Sequence, residues 1–542
     1  MADSTEHIAM PSHFDILLHI TSTTMYNVAR LAKSIICDWP PFRFFLVFYL
    51  ALNYHGYIQV QFANLASQSG WTKAFLLLFV FKFLKVTVHT LSFLLYRPYP
   101  IPKNPIFKPG DVTVIIPTVG AIDDQEFRET LRTVIANKPA HIIVCTVGKE
   151  KLHIADRVCA EKLAAANARN PTHTLVRAIA IDEASKRRQI FRAIQAVRTP
   201  IVALADDHVF WGKKYLESAL APFEDPTIGG VGTNKRVYRD QFAFTWANFL
   251  NFIACLYLER HNFECTASVF IDQGVFVLSG RTALYRTAIF KHPRFEQEYC
   301  HETWFFGLVG RNGFAVDDDN LLTRFTTGIA GYKVWFQNTA ESTMFTTLGK
   351  PEIFFKQMDR WIRTTWRSNS TSLFSDQTPW KAQPWSVYAI YFSSFVNFAL
   401  FYDAALYITL WYSLVALEAA AETSPQLPHC VDSQIASHGY DELRSVTQPD
   451  SPTLATSACQ PSSYVSPGLA AYVVNKPAAM MTLALVSFIS KMIKPFPHFR
   501  RNPVDTLYIP FYILFGYYHS LIKLKALFTV SVIAWGTRPG VK

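Results

Sequence analysis

The chain has 542 residues, 50% of them hydrophobic, 15% aromatic and only 17% charged, which makes it too long for one compact domain and too apolar for an ordinary soluble one. Its net charge of +11 raises nucleic acid as a partner, but no basic stripe is interleaved with base-stacking aromatics, and Lys and Arg beside apolar stretches follow from the positive-inside bias of membrane proteins, so no nucleic-acid partner is expected. Eight cysteines (Cys37, Cys145, Cys159, Cys255, Cys265, Cys300, Cys430 and Cys459) include no CxxC or Cys/His spacing suited to zinc, and the first six read as scattered reduced thiols.

The opening MADSTEHIAMPSHFD lacks the basic stretch and following apolar run of a cleaved signal peptide, so targeting rests on the first membrane helix. Residues 1–43 read as a cytosolic segment, amphipathic over 14–36. Two membrane helices are expected within 44–96, at 44–64 and 73–96, the first polar in its second half. Lys82 and Lys85 fall mid-span, where a charge costs about 3 kcal/mol unless it faces a partner or water. Either they snorkel or pair with Asp403, or they line a polar path for an exported chain. Arg97, Lys103 and Lys108 follow the second span and place this end inside.

From 97 to 353 apolar strands alternate with helical stretches, as a cytosolic domain would. DVTVIIP (111–117), HIIVCTV (141–147), TLVRAIAID and TPIVALADDH read as strands; EFRETLRTVIA, the run to about 169 and KRRQIFRAIQAV read as helices. This is a doubly wound α/β pattern, which binds ligands at the carboxyl ends of strands. Asp206 and Asp207 lie at such an end. A hard divalent cation held by carboxylates there neutralises a diphosphate, although acids after a strand also serve as helix caps. A second acidic run, Asp317-Asp318-Asp319, follows the loop GRNGFAV. Adjacent acids repel, so one keeps its proton to higher pH unless cations are near, which suits a general base; a solvated acidic turn is the plainer alternative.

In QMDRWIRTTWRSN, over 357–369, residues Gln357, Arg360, Trp361 and Thr364 share one helical face. That helix and its linker, 354–385, read as interfacial, with Arg360 available to a pyrophosphate and Trp361 to a sugar ring. A span at 386–417, an outside loop at 418–467 rich in acids, Ser and Pro, and a span within 468–492 follow. Lys491, Lys494, Arg500 and Arg501 place the next end inside. Outside, Cys430 and Cys459 would meet oxidising conditions in which they can pair. The sequon Asn369-Ser370-Thr371 falls on the inner side, so no glycan is expected. The remainder, 493–542, is interrupted by Pro510, His519, Lys523 and Lys525 and reads as a re-entrant or interfacial pair of short helices with a tail carrying Trp535, Gly536, Thr537 and Arg538.

In order and spacing, these segments resemble the hyaluronan synthases and their family 2 relatives, the cellulose and chitin synthases, and above all the fungal hyaluronan-synthase-like polysaccharide synthases, from about 110 to 538. SGRTALYR (279–286), with Ser279, Gly280 and Arg281, looks like the family's acceptor-side segment. DDDNLLT (317–323) looks like its catalytic-base motif, QMDRW (357–361) like QxxRW and WGTR (535–538) like its nucleotide-gating tail. The resemblance implies a GT-A-like domain inserted between transmembrane helices. Asp319 would be the general base beside Asp318, and Asp207 would hold Mg²⁺ or Mn²⁺, with Asp206 nearby. Lys186 and Arg187 would flank the nucleotide, Gln357, Arg360 and Trp361 would line the diphosphate and acceptor end, and Trp535 and Arg538 would close over the donor.

The pattern departs in places. Thr146-Val147 stands where the family usually has an Asp for uracil, its DxD becomes Ala205-Asp206-Asp207, and Asn320 replaces the Arg after the acidic pair. The hyaluronan synthases also continue with further membrane helices beyond WGTR, so fewer spans would form the conduit.

The implied activity is inverting transfer from a UDP-sugar donor to a growing polysaccharide acceptor at a lipid bilayer, with the polymer exported. The plasma membrane is the implied location, with the outer wall and hyphal surface as the destination. Alternatives are transfer of one sugar to a lipid acceptor and an inactive scaffold or transporter. The sugar, linkage, product length and oligomeric state stay open.

Overall fold

The computed structural model describes residues 68–423 and 475–533 apart from positions 121, 312, 315, 316 and 349. The expected span at 44–64, the Cys430 and Cys459 loop and the WGTR tail lie outside the described residues.

A seven-stranded mixed sheet has the order β3-β2-β1-β4-β8-β6-β9. Its strands are β1 (Val112–Pro117), β2 (His141–Val147), β3 (Leu175–Ile181), β4 (Ile201–Ala205), β6 (Ile228–Thr233), β8 (Thr282–Arg286) and β9 (Lys333–Gln337). The first half is parallel, β3-β2-β1-β4, as the alternating pattern predicts. Thereafter β8, the TALYR of SGRTALYR, enters antiparallel between β4 and β6, and β9 pairs parallel with β6. A small sheet joins β5 (Val209–Trp211), β10 (Met344–Thr346) and β7 (Lys235–Val237).

Among the described residues ten longer helices accompany the strands: α1 (Gly70–Leu95), α2 (Gln125–Ile135), α3 (Lys149–Arg169), α4 (Lys186–Ile194), α5 (Trp246–Asp272), α6 (Asp318–Arg324), α7 (Pro351–Ser370), α8 (Ala399–Thr423), α9 (Lys476–Ile493) and α10 (Ile509–Phe528). Every residue of β1 is buried because helices cover both faces of the sheet. Val112, Val114 and Ile116 pack with Phe127 and Leu131 of α2 and Val158 of α3. Ile115, one residue out of phase, packs with Ile190 and Ala193 of α4 and Val269 of α5. The winding on two faces is therefore as read from the sequence.

Among the described residues three helices are long and apolar enough to cross a membrane: Gly70–Leu95, Ala399–Ala420 and Lys476–Ile493. Leu77, Val80, Leu91 and Leu94 of α1 stay exposed, an outward apolar face that water does not favour. Between these helices Asp403 pairs with Lys82 at 2.6 Å and with Lys491 at 2.7 Å, and Lys491 also donates to the Tyr517 hydroxyl at 3.0 Å. Of the two readings of Lys82, pairing with Asp403 is the one observed. Lys85 instead turns to Glu264 of α5, 3.4 Å away, which also meets His89 and Lys494.

The last stretch forms one 20-residue helix, α10, rather than two short ones. Pro510 sits in its first turn, where its missing N–H has no helical partner to lose, so it starts the helix instead of breaking it.

Candidate active site

The carboxyl ends of β1 and β4 lie side by side, and the turn before β8 folds over them. The Asp206 N–H donates to the Arg281 carbonyl at 2.8 Å, tying that turn to the strand end. Gln189 of α4 donates to the carbonyls of Thr118 and Cys145, at 2.9 and 2.6 Å, and so holds the ends of β1 and β2 together. A cavity of about 310 Å³ opens here, lined on one side by Thr118, Lys186, Asp206 and Asp207 and on another by Gln357, Arg360 and Trp361.

Lys186 bridges the two acidic runs. Its Nζ lies 2.9 Å from Asp206 Oδ1 and 3.2 Å from Asp318 Oδ2, and donates to the Gly280 carbonyl at 3.1 Å. Burial alone would lower this ammonium, but the charges of Asp206 and Asp318 outweigh it and raise its pKa above the ordinary lysine value. Asp319 stands beside them. Its Oδ2 accepts the Gly280 N–H at 3.1 Å, and its Oδ1 accepts the Asn320 backbone N–H at 2.9 Å and side-chain amide at 3.1 Å. Burial, then the charge of Asp318, raises the Asp319 pKa, with Lys186 and the Gly280 N–H opposing. A Cβ on residue 280 would sit 3.3 Å from the Asp319 carboxylate, so glycine is what permits this approach.

Asp207 accepts the Thr118 hydroxyl at 2.6 Å and contacts His208 Nδ1 at 2.9 Å, whereas Asp206, bound to Lys186, is the more exposed of the pair. Among the described residues no group of three His, Cys, Asp or Glu side chains is arranged to hold a metal ion. The adjacent carboxylates of Asp206 and Asp207, both lining the cavity, are of the donor type that suits Mg²⁺ or Mn²⁺, which keep part of their shell for water and substrate phosphates.

On the opposite wall, Trp361 stacks on Tyr257 with centroids 5.0 Å apart, and the Arg281 guanidinium lies 5.3 Å from its ring centre. Gln357 Oε1 and Arg281 Nε, both in cavity-lining residues, are buried without hydrogen-bond partners among the described residues, an acceptor and a donor open to a ligand. Ser279 completes this rim.

Arg187 goes elsewhere. Fully buried, it donates to the Tyr299 carbonyl at 3.0 Å and to Glu302 Oε2 at 2.6 Å, while Glu302 Oε1 accepts from Arg324 of α6 at 2.5 Å. It braces the acidic helix from behind. Trp535, Gly536, Thr537 and Arg538 lie outside the described residues.

Several residues escaped sequence reasoning. Lys235 of β7 reaches the cavity wall from the small sheet, and burial lowers its pKa to about 8. Tyr257 and His261 come from α5, an apolar helix with no polar periodicity to mark them. Thr118 and Arg367 carry no local signal at all. The cavity also reaches Asn369, Ile390 and Ser394, and the Asn369 amide donates to the Ser394 hydroxyl at 2.8 Å, which takes the sequon's nitrogen into packing.

The model of a family described as glycosyltransferase like family 2 matches residues 109–364. A type 2 glycosyltransferase of Zymoseptoria tritici is 34% identical over 474 residues, covering 87% of this chain and 84% of its own length. One from Gibberella zeae is 31% identical, covering 87% and 76%. Among solved structures, a mannosyltransferase from Pyrobaculum calidifontis in complex with GDP-Man and Mn²⁺ shares 16% identity over 66% of this chain and 88% of its own at a TM-score of 0.39, too loose to argue from.

Proposed function

The chain belongs to the family 2 glycosyltransferases, and from that premise we propose that it transfers a sugar from a UDP-sugar to a growing polysaccharide on the inner face of a membrane, inverting the anomeric centre and passing the product outward. The observation that carries the polymer reading is the reach of the cavity. Its lining includes, besides Lys186, Asp206, Asp319 and Trp361, the residues Asn369, Ile390 and Ser394 of the stretch that precedes the apolar α8. An acceptor reaching from the base toward those residues would point toward the bilayer.

Asp319 is the group suited to take the proton from the acceptor hydroxyl. It is buried, its raised pKa keeps it a competent base near neutrality, and two N–H donors fix its orientation. The hydroxyl oxygen then attacks the anomeric carbon as its bond to the diphosphate oxygen breaks, and a single displacement turns a UDP-α-sugar into a β-linkage. Lys186, Arg281 and Arg360 supply fixed positive charge for the departing UDP. Asp207, with Asp206 nearby, would hold Mg²⁺ or Mn²⁺, which when bound supplies positive charge against the diphosphate. Gln357 and Trp361 are suited to orient the sugar, one through its open acceptor and the other through its ring. The uridine assignment rests on the resemblance to the hyaluronan synthases.

Membrane placement is supported by the three apolar helices and by the cations that follow α1 and α9. The plasma membrane, with the cell wall or hyphal surface as destination, is the site the resemblance favours.

The test is UDP release by purified, detergent-solubilised protein across a panel of UDP-sugars with Mg²⁺ or Mn²⁺, beside Asp319→Asn. We expect one sugar to support release and a high-molecular-weight product, with the variant down by about 10²- to 10⁴-fold. A short, detergent-extractable product would replace the polymer with a lipid acceptor. No release with any sugar and cation would overturn the catalytic reading.

A further inference from the structure

Asp317, first of the three acids, differs from its neighbours. It caps α6 in a left-handed backbone conformation, φ 63°, which costs a non-glycine residue about 1 kcal/mol. Both carboxylate oxygens are taken by α7: Oδ1 accepts the Thr364 hydroxyl, and Oδ2 accepts Arg367 Nε at 2.9 Å and Nη2 at 2.7 Å. The Arg367 side chain is itself 2% exposed. Its remaining nitrogen, Nη1, donates to the carbonyls of Val530 at 2.7 Å and Val532 at 3.3 Å, just past the end of α10. Phe314 packs against the same guanidinium, 5.7 Å from its ring centre.

One buried side chain thus joins three segments distant in sequence: the turn that launches Asp318 and Asp319, the helix that carries Gln357 and Trp361, and the chain leaving α10. A guanidinium can do this because its five N–H groups form a planar fork; an ammonium can serve one end or the other.

We propose that Arg367 is a positioning residue for the transfer reaction: by clamping Asp317 to α7 and to the Val530 and Val532 carbonyls, it sets the place of Asp319 and makes the end of α10 and the base move as one body. A displacement of about 1 Å at a reacting group can cost about 10²-fold in rate, so the clamp acts on turnover more than on donor binding. The kinetic part of this inference rests on Asp319 being the base; the mechanical coupling does not.

The experiment compares Arg367→Lys, Arg367→Met, and the double variant Arg367→Met with Asp317→Asn, all in the full chain. With the UDP-sugar that supports wild-type turnover, Arg367→Lys should lower kcat by about tenfold or more while KM changes by less than about twofold. The double variant should recover part of the kcat lost in Arg367→Met, because it removes the carboxylate left buried and alone. Backbone hydrogen exchange, read without substrate, should quicken over 317–324 and 530–533 together in Arg367→Lys. Exchange that changes in only one of these segments, or kcat per folded molecule equal to wild type, overturns the proposal. Should Arg367→Met fail to fold, the lysine and double variants decide. If wild-type protein releases no UDP from any sugar, the functional reading falls, and the paired exchange still decides the coupling.

Discussion

The catalytic cavity and the apolar helical bundle both bury charge, yet they keep it differently. In the bundle, Asp403 answers Lys82 and Lys491, and Glu264 answers Lys85, His89 and Lys494. In the cavity, Lys186 is shared between two carboxylates, while Gln357 Oε1 and Arg281 Nε face no protein group among the described residues. Charge that is answered within the protein marks scaffold. Among the described residues, buried polar atoms without a hydrogen bond occur in both regions, Ser487 Oγ of the bundle among them, but those of the cavity stand in a space with room for a ligand, walled by acids and aromatics.

That contrast is broken most sharply by Asp403→Ala. It leaves two lysines between apolar helices with no acid, and losing one partner of a buried pair costs about 3–5 kcal/mol. We expect a clear fall in the unfolding midpoint in detergent, read by thermal denaturation, with KM unchanged in whatever remains folded. Asp319→Asn should do the reverse, stopping turnover while the midpoint holds or rises, since it removes a buried carboxylate. Equal losses of midpoint in the two variants would erase the distinction.

Lys235 sharpens it on a smaller scale. With burial lowering its pKa to about 8, its positive charge is present below that pH and lost above it. If that charge helps hold the donor, KM for the UDP-sugar rises as pH climbs through about 8, and Lys235→Arg, charged throughout, flattens the rise. An unchanged alkaline profile would remove Lys235 from donor binding.

The smallest effect is expected of Asp318→Asn. Its charge helps raise the Asp319 pKa, so removing it should move the acidic limb of the kcat profile to lower pH, because the base then deprotonates sooner. A shift in the opposite direction would show that loosening Lys186 matters more than the lost repulsion.

How much was legible beforehand follows from which forces are local. The expected strand HIIVCTV is β2, His141–Val147, and helix α3 ends at Arg169, because apolar runs and helical periods report burial directly. Lys186 and Arg187 were read as a pair beside the nucleotide. Successive residues on a helix point about 100° apart, so one enters the cavity while the other turns into the core toward Glu302. Helix α5 went unread for the opposite reason. It is buried nearly all round, and without a polar face it offers no period. The antiparallel insertion of β8 was hidden too, since strand order depends on pairing between residues far apart along the chain. Thr118 and Lys235 reach the site only through that pairing and packing, and the partners of Arg367, Asp317 and the Val530 carbonyl, are likewise far from it along the chain. The motif residues were visible; the groups that hold and surround them were not.

Asn369 and Ser394, both among the residues that line the cavity, are joined by a hydrogen bond that the proposed sugar chain would have to open in order to pass. A saccharide offers hydroxyls that can replace both partners, so on that reading the bond opens at little net cost. An acyl chain, with neither donor nor acceptor, would leave both groups unbonded. On the proposed reading, passage there would discriminate by hydrogen-bonding capacity.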